Sequence, residues 1–186
     1  MKKSDRYYLY LTWPRYLAQW YAYKMYSLAR FEQDVLPEYV YNCDVDARDL
    51  EPVQTRRGSA ERNILEVCLS KQPDKIPDKI DRDATICIEI PNFVSKPAYT
   101  YNYLSSASRH LLETTVRNHF RMSLIKYMNK VCVPAKLAGA GQSATYEMMI
   151  QTFMDNNGIE YTEQNLLAIK KIWQRLNWVQ KKKNNK

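Results

Sequence analysis

Glycine, histidine and closely spaced cysteines are scarce in this chain. It has 4 glycines and 8 prolines in 186 residues, too few for a collagen-like or low-complexity protein. Its four cysteines form no CxxC pair, and His110 and His119 are its two histidines. Because a zinc site needs closely spaced ligand pairs, the sequence predicts no metal site, and no motif indicates a cofactor.

Long apolar runs and the common catalytic motifs are also missing. No run of 18 apolar residues occurs, so we expect neither a membrane span nor a signal peptide, and we expect a cytoplasmic protein with free thiols. GxSxG, HExxH, P-loop and GxGxxG motifs are absent. His110 and His119 stand nine residues apart and do not share a helix face. We therefore expect a protein that is not an enzyme, with a metal-dependent nuclease as the least favoured class.

Positive charge is concentrated in the second half of the chain. Residues 1–99 contain 15 Lys or Arg and 15 Asp or Glu, whereas residues 100–186 contain 13 and 5, which accounts for the whole net charge of +8. We interpret residues 1–99 as a mixed, aromatic-rich part and residues 100–186 as a basic helical part, with one continuous domain as the alternative. A regional excess of cations favours binding to nucleic acid.

Hydrophobic periodicity predicts an α+β fold, with short N-terminal strands and helices followed by a basic, mostly helical C-terminal half. Alternating residues predict strands over 7–13 and 85–90. Helices are predicted over residues 15–31, after Ser59, over about 106–130, after Ser143 and after Thr162. We expect Pro134 to end the long helix and residues 92–104 to form a loop.

Basic residues recur on the polar sides of two predicted C-terminal helices. Those on the long helix follow a four-residue spacing, and those on the last helix flank its apolar stripe. The candidate nucleic-acid-binding residues are Arg117, Arg121, Lys126, Lys130, Lys170, Lys171 and Arg175. Clustered cations bind a duplex by releasing its condensed counterions, so we predict that these residues contact DNA or RNA. An ordinary solvated helix face is the alternative.

The two helices predicted over 144–180 have the order of a helix-turn-helix DNA reader. The match is poor, because Met154 stands where that motif places a small residue and Gln164 stands at its buried position. A plain αα-hairpin is at least as good an interpretation.

Arg56-Arg57-Gly58-Ser59 precedes another predicted helix and could approach a phosphate. No Walker pattern surrounds it, so a helix start capped by Ser59 is the simpler interpretation.

Aromatic residues crowd the N-terminal region, where 12 of the 23 Phe, Trp and Tyr residues fall within residues 7–41. The candidate interface residues are Tyr8, Tyr10, Trp13, Trp20 and Tyr23. Aromatic side chains of this kind could fill the core, form a protein interface or stack on unpaired bases. A protein-interaction or phage-assembly component that docks through this region is therefore the alternative function.

Four short stretches resemble small, uncharacterised basic proteins of prophages and mobile elements in gut bacteria. They are RGSAE at 57–61, IEIP at 88–91, TYNYL at 100–104 and NGIE at 157–160. The resemblance implies a mobile-element setting, with DNA binding, regulation or phage assembly as roles and a phage or mobile-element protein as a possible partner. It implies no activity and no site. Together with the charge, it predicts a nucleic-acid-binding accessory or regulatory protein, able to self-associate through its aromatic part.

Overall fold

A computed structural model describes residues 6–29, 39–73, 82–137 and 142–184. The described chain is a mixed α+β fold, as the sequence predicts, in which short strands and two α-helices precede three further α-helices. Within this part of the chain, no helix combines the length and apolar character needed to cross a membrane.

Three short strands form the main sheet, in the order β1-β4-β2. β1 (Tyr8–Leu11) pairs antiparallel with β4 (Ile86–Glu89), and β2 (Pro52–Gln54) pairs parallel with the other side of β4. The alternation in the sequence predicted β1 and β4, since Leu9 and Leu11 point into the core opposite Ile88 and Ile86. β2 was not predicted, because three residues are too few to show a period.

A second, two-stranded sheet joins β3 (Ser70–Lys71) to β5 (Tyr101–Tyr103) in antiparallel register. The prediction of a loop over residues 92–104 is therefore wrong for β5. Tyr101 and Tyr103 fit a strand by type, but the alternation is again too short to separate a strand from a loop by sequence.

The helix α1 (Arg15–Ala29) begins directly after Pro14. The Pro14 carbonyl oxygen accepts hydrogen bonds from the amides of Leu17 and Ala18, at 2.8 and 3.1 Å. Thr85, just before β4, accepts a bond from the Trp13 amide and donates one to the Trp13 carbonyl. The start of α1 is thus fixed against the sheet, while residues 30 and 31 of the predicted helix lie outside the described chain.

The helix α2 (Ala60–Cys68) has the capped start that the sequence predicts. Gly58 has φ +74°, and the Ser59 hydroxyl accepts a hydrogen bond from the Arg62 amide at 3.2 Å. Glu61 and Leu65, one turn apart, are the buried residues of this helix.

The long helix α3 (Ser106–Leu137) continues past Pro134, so the prediction that this proline ends the helix is wrong. Proline at this position cannot donate the helical bond to the Lys130 carbonyl oxygen, and the helix continues to Leu137 without that bond.

A row of α3 residues spaced by four is fully buried. Its members are Leu112, Val116, Phe120, Leu124 and Met128. Phe120 contacts Tyr16 and Trp20 of α1 with ring centroids 5.1 and 5.5 Å apart. The helix α4 (Gln142–Asp155) adds Phe153, 5.9 Å from the Phe120 ring. One hydrophobic core therefore includes residues of both predicted parts of the chain, 1–99 and 100–186.

The helices α4 and α5 (Glu163–Asn184) are joined by a tight turn that packs against α1. Thr162 caps α5 as predicted, since its hydroxyl accepts a hydrogen bond from the Asn165 amide at 3.2 Å. Buried Gln19 of α1 accepts hydrogen bonds from the Glu160 amide and from the Asn165 side chain, both at 3.2 Å. These bonds hold the turn and the start of α5 against α1.

Candidate nucleic-acid interface

Arg117 and Arg121 lie together on one flank of α3, next to the start of α1. The Arg117 guanidinium forms an ion pair with Glu113, one turn earlier on the same helix. Arg121 is exposed, and its Nη1 donates to the Asn118 side-chain oxygen at 3.3 Å. Burial raises the pKa of the Tyr16 hydroxyl, and the positive charges of Arg117 and Arg121 partly oppose that rise.

Lys126 and Lys130 are exposed but do not continue the surface formed by the two arginines. Lys126 follows Arg121 by five residues, which turns it by about 140° around the helix axis. The buried row also turns around α3, because a four-residue repeat advances by about 40° per step. The four basic residues of α3 therefore form two separate pairs that point in different directions from the helix axis.

Lys171 and Arg175 form a third basic pair, on α5. They are exposed and one turn apart, on the side opposite the buried Ile169 and Trp173. Lys170 instead faces α4, where its Nζ donates to Glu147 at 2.8 Å. Lys170 therefore helps to hold α4 against α5 and is a weaker candidate for contacting a ligand.

Acidic residues neutralise few of these cations. Residues 100–186 contain five acids, of which Glu113 and Glu147 pair with Arg117 and Lys170. Within the described part of the chain, the other five candidate residues have no carboxylate partner. They are Arg121, Lys126, Lys130, Lys171 and Arg175. We call these five residues the unpaired basic residues.

The turn between α4 and α5 does not favour a DNA-reading helix-turn-helix. Gly158 occupies the left-handed region with φ +59°, as its position after two asparagines predicts. Met154 is fully buried, but Gln164, at the position that the motif buries, is exposed. These two residues favour the plain αα-hairpin.

The aromatic residues proposed for an interface divide into two groups. Trp13 and Trp20 are 4% and 2% exposed and lie in the core, so they present little surface to a partner. Trp20 packs edge-on against Phe120, which is the core role that the sequence left open. Tyr8, Tyr10 and Tyr23 are half-buried and keep part of their surface exposed.

A buried carboxylate was missed by sequence reasoning. Glu61 of α2 is 2% exposed, and its oxygen lies 2.7 Å from Nδ1 of His119 on α3. The buried Tyr21 hydroxyl has no hydrogen-bond partner among the described residues, and burial raises its pKa, with a smaller contribution from the charge of Glu61. No local pattern could reveal a pair 58 residues apart. Within the described residues, no cluster of three or more His, Cys, Asp or Glu side chains could hold a metal ion.

No known protein family, no curated protein and no solved structure matches this chain. Its functional interpretation therefore rests on its own residues, and the basic surfaces of α3 and α5 are the strongest candidates for a binding role.

Proposed function

We propose that this protein is a non-enzymatic nucleic-acid-binding accessory or regulatory protein of a phage or mobile element. Its basic C-terminal helices contact the phosphates of DNA or RNA. The observation that carries the proposal is the set of five unpaired basic residues on α3 and α5. The mobile-element setting rests on the sequence resemblance alone.

The physical reason is electrostatic. A DNA duplex carries one negative charge per ~1.7 Å of its axis and a layer of condensed counterions, which bound cations release. Lys170, whose ammonium group is already paired with Glu147 of the neighbouring helix, gains less from a phosphate. Exposed cations without such a partner keep their full charge for a ligand, and both α3 and α5 present them.

Charge reversal at exposed positions tests the proposal without disturbing the core. The test variant changes four of the unpaired basic residues: Lys126→Glu, Lys130→Glu, Lys171→Glu and Arg175→Glu. We expect it to bind a short labelled DNA duplex at least about tenfold more weakly than the wild type. Each cation that no longer reaches a phosphate should also reduce the salt slope by about 1. Fluorescence anisotropy over a salt series measures both quantities.

A matched variant reverses four exposed arginines in the N-terminal part of the chain. The substitutions are Arg48→Glu, Arg56→Glu, Arg57→Glu and Arg82→Glu. Both variants have the same net charge, so a difference between them reports position and not total charge. Equal losses in the two variants, or no binding of the wild type to any DNA or RNA at low salt, would contradict the proposal.

A protein-interaction role is the second candidate, and the edge position of β1 favours it. β1 lies at one end of the three-stranded sheet and leaves Tyr8 and Tyr10 half-exposed. Edge strands with exposed side chains can pair with another chain. A stoichiometric complex with a phage or mobile-element protein that survives high salt would support this role. A strictly monomeric protein that co-purifies with no partner would count against it.

A further inference from the structure

We propose that Arg117 and Arg121 form a preorganised site for one phosphate group of the bound nucleic acid, and that Glu113 and Asn118 are positioning residues for it. This inference rests on the proposed function and assigns distinct roles within it. The arginine pair provides directional hydrogen bonds, while the lysines of α3 and α5 provide charge alone.

The geometry of the pair supports this assignment. Four residues separate Arg117 from Arg121, which places them about 6 Å apart along the axis of α3. Glu113 accepts a hydrogen bond from Nη2 of Arg117, and Asn118 accepts one from Nη1 of Arg121 at 3.3 Å. Each guanidinium has five N–H donors, so one bond fixes its position and leaves other donors for a ligand.

The surface beneath the two arginines is rigid. Tyr16 is 5% exposed, and its ring packs against Phe120 at 5.1 Å between centroids. Phe120 lies between Arg117 and Arg121 in the chain and also packs against Trp20, so the segment of α3 that carries both arginines is held against α1. A site supported by packed helices loses less conformational freedom when a ligand binds than a site on free side chains.

Arg109 shows how an arginine of the same helix behaves when its role is structural. Its Nε donates to the Leu104 carbonyl oxygen at 3.2 Å, and its Nη1 donates to that of Tyr10 at 3.4 Å. The Arg109 side chain thereby joins the start of α3 to β1. Arg117 and Arg121 bond to side chains at the surface, and a planar guanidinium is the group that best matches a phosphate in paired hydrogen bonds.

Glu113→Ala distinguishes this arrangement from simple charge attraction, because the two predict opposite changes in the affinity for a DNA duplex. Removing a carboxylate raises the net charge, so charge attraction alone predicts tighter binding to a DNA duplex. If Glu113 orients Arg117, we expect binding about 2- to 10-fold weaker, the cost of immobilising one long side chain. Asn118→Ala, which changes no charge, should weaken binding by a similar factor.

Two control variants match these substitutions. Asp155→Ala removes an exposed acid at the end of α4, and Asn129→Ala removes an exposed amide elsewhere on α3. We expect Asp155→Ala to bind slightly more tightly than the wild type and Asn129→Ala to bind equally well. Glu113→Gln keeps an oxygen acceptor for Arg117 and should recover part of the affinity that Glu113→Ala loses, which a purely structural role would not predict.

Fluorescence anisotropy with one labelled duplex at fixed salt measures all five variants, and their thermal midpoints show that each is folded. Weaker binding of Glu113→Ala and Asn118→Ala than of their controls supports the inference. Tighter binding of Glu113→Ala, matching Asp155→Ala, overturns it and leaves the proposed function standing. Absence of binding by the wild type would instead refute the proposed function itself.

Discussion

A side chain has less room at Gly158 than at Gly58, the other glycine that the structure describes. Gly158 lies in the α4–α5 turn with φ +59°, and a Cβ there would stand 2.3 Å from the Tyr23 ring and 2.5 Å from the Tyr39 carbonyl oxygen. Gly58 has a similar φ of +74°, but nothing lies within 4 Å of its Cβ position. A side chain at Gly58 would therefore meet backbone strain alone, whereas a side chain at Gly158 would meet both backbone strain and steric overlap.

We expect Gly58→Ala to lower the free energy of unfolding by about 1–2 kcal/mol, the cost of a left-handed alanine. Gly158→Ala should cost about 1–3 kcal/mol more, because the methyl group also forces Tyr23 or the backbone at Tyr39 to move. Urea denaturation of both variants gives the comparison. Equal losses would show that the turn does not approach α1 as closely as described.

At the level of helices and strands, long regular elements were predictable and short ones were not. The four-residue repeat from Leu112 to Met128 predicts the buried face of α3, and alternation predicts β1 and β4. β2, β3 and β5 contain two or three residues each, too few for a period to show. The end of α3 was misplaced because Pro134 removes a single backbone bond and the helix continues beyond it to Leu137.

The candidate site was predictable by residue type but not by arrangement. The sequence identified the basic residues of α3 and α5, since charge and helical spacing are local properties. It could not show that Lys170 pairs with Glu147 across 23 residues. It also did not separate Lys126 and Lys130 from Arg121, because the buried row turns around the axis of α3 over its length. Pairing and relative direction depend on how the helices pack.

At the scale of the whole molecule, the neutral and basic parts share one core. Phe120 of α3 packs against Tyr16 and Trp20 of α1, and Gln19 of α1 bonds to Asn165 of α5. We expect one cooperative unfolding transition, because neither part buries its apolar residues without the other. Tryptophan fluorescence and far-ultraviolet circular dichroism should give the same thermal midpoint. Two resolved transitions would show that the parts fold independently.

The basic residues lie on the exposed sides of α3 and α5, and the buried sides of these helices pack into the shared core. Under the proposed function, we expect a single duplex to contact some of the unpaired basic residues but not all, since Lys126 points about 140° away from Arg121 around α3. Binding should therefore depend on charge without strong preference for sequence, since phosphate contacts carry no base information.

The salt dependence of duplex binding shows whether the basic residues of α3 and α5 contact phosphates. The logarithm of the association constant for a DNA duplex is measured against the logarithm of salt concentration. We predict a straight line with a slope between about −2 and −4.5, which corresponds to two to five released counterions at about 0.9 each. The slope should move toward zero in the variant with four reversed residues on α3 and α5. A wild-type slope near zero, or no binding at low salt, would contradict the account.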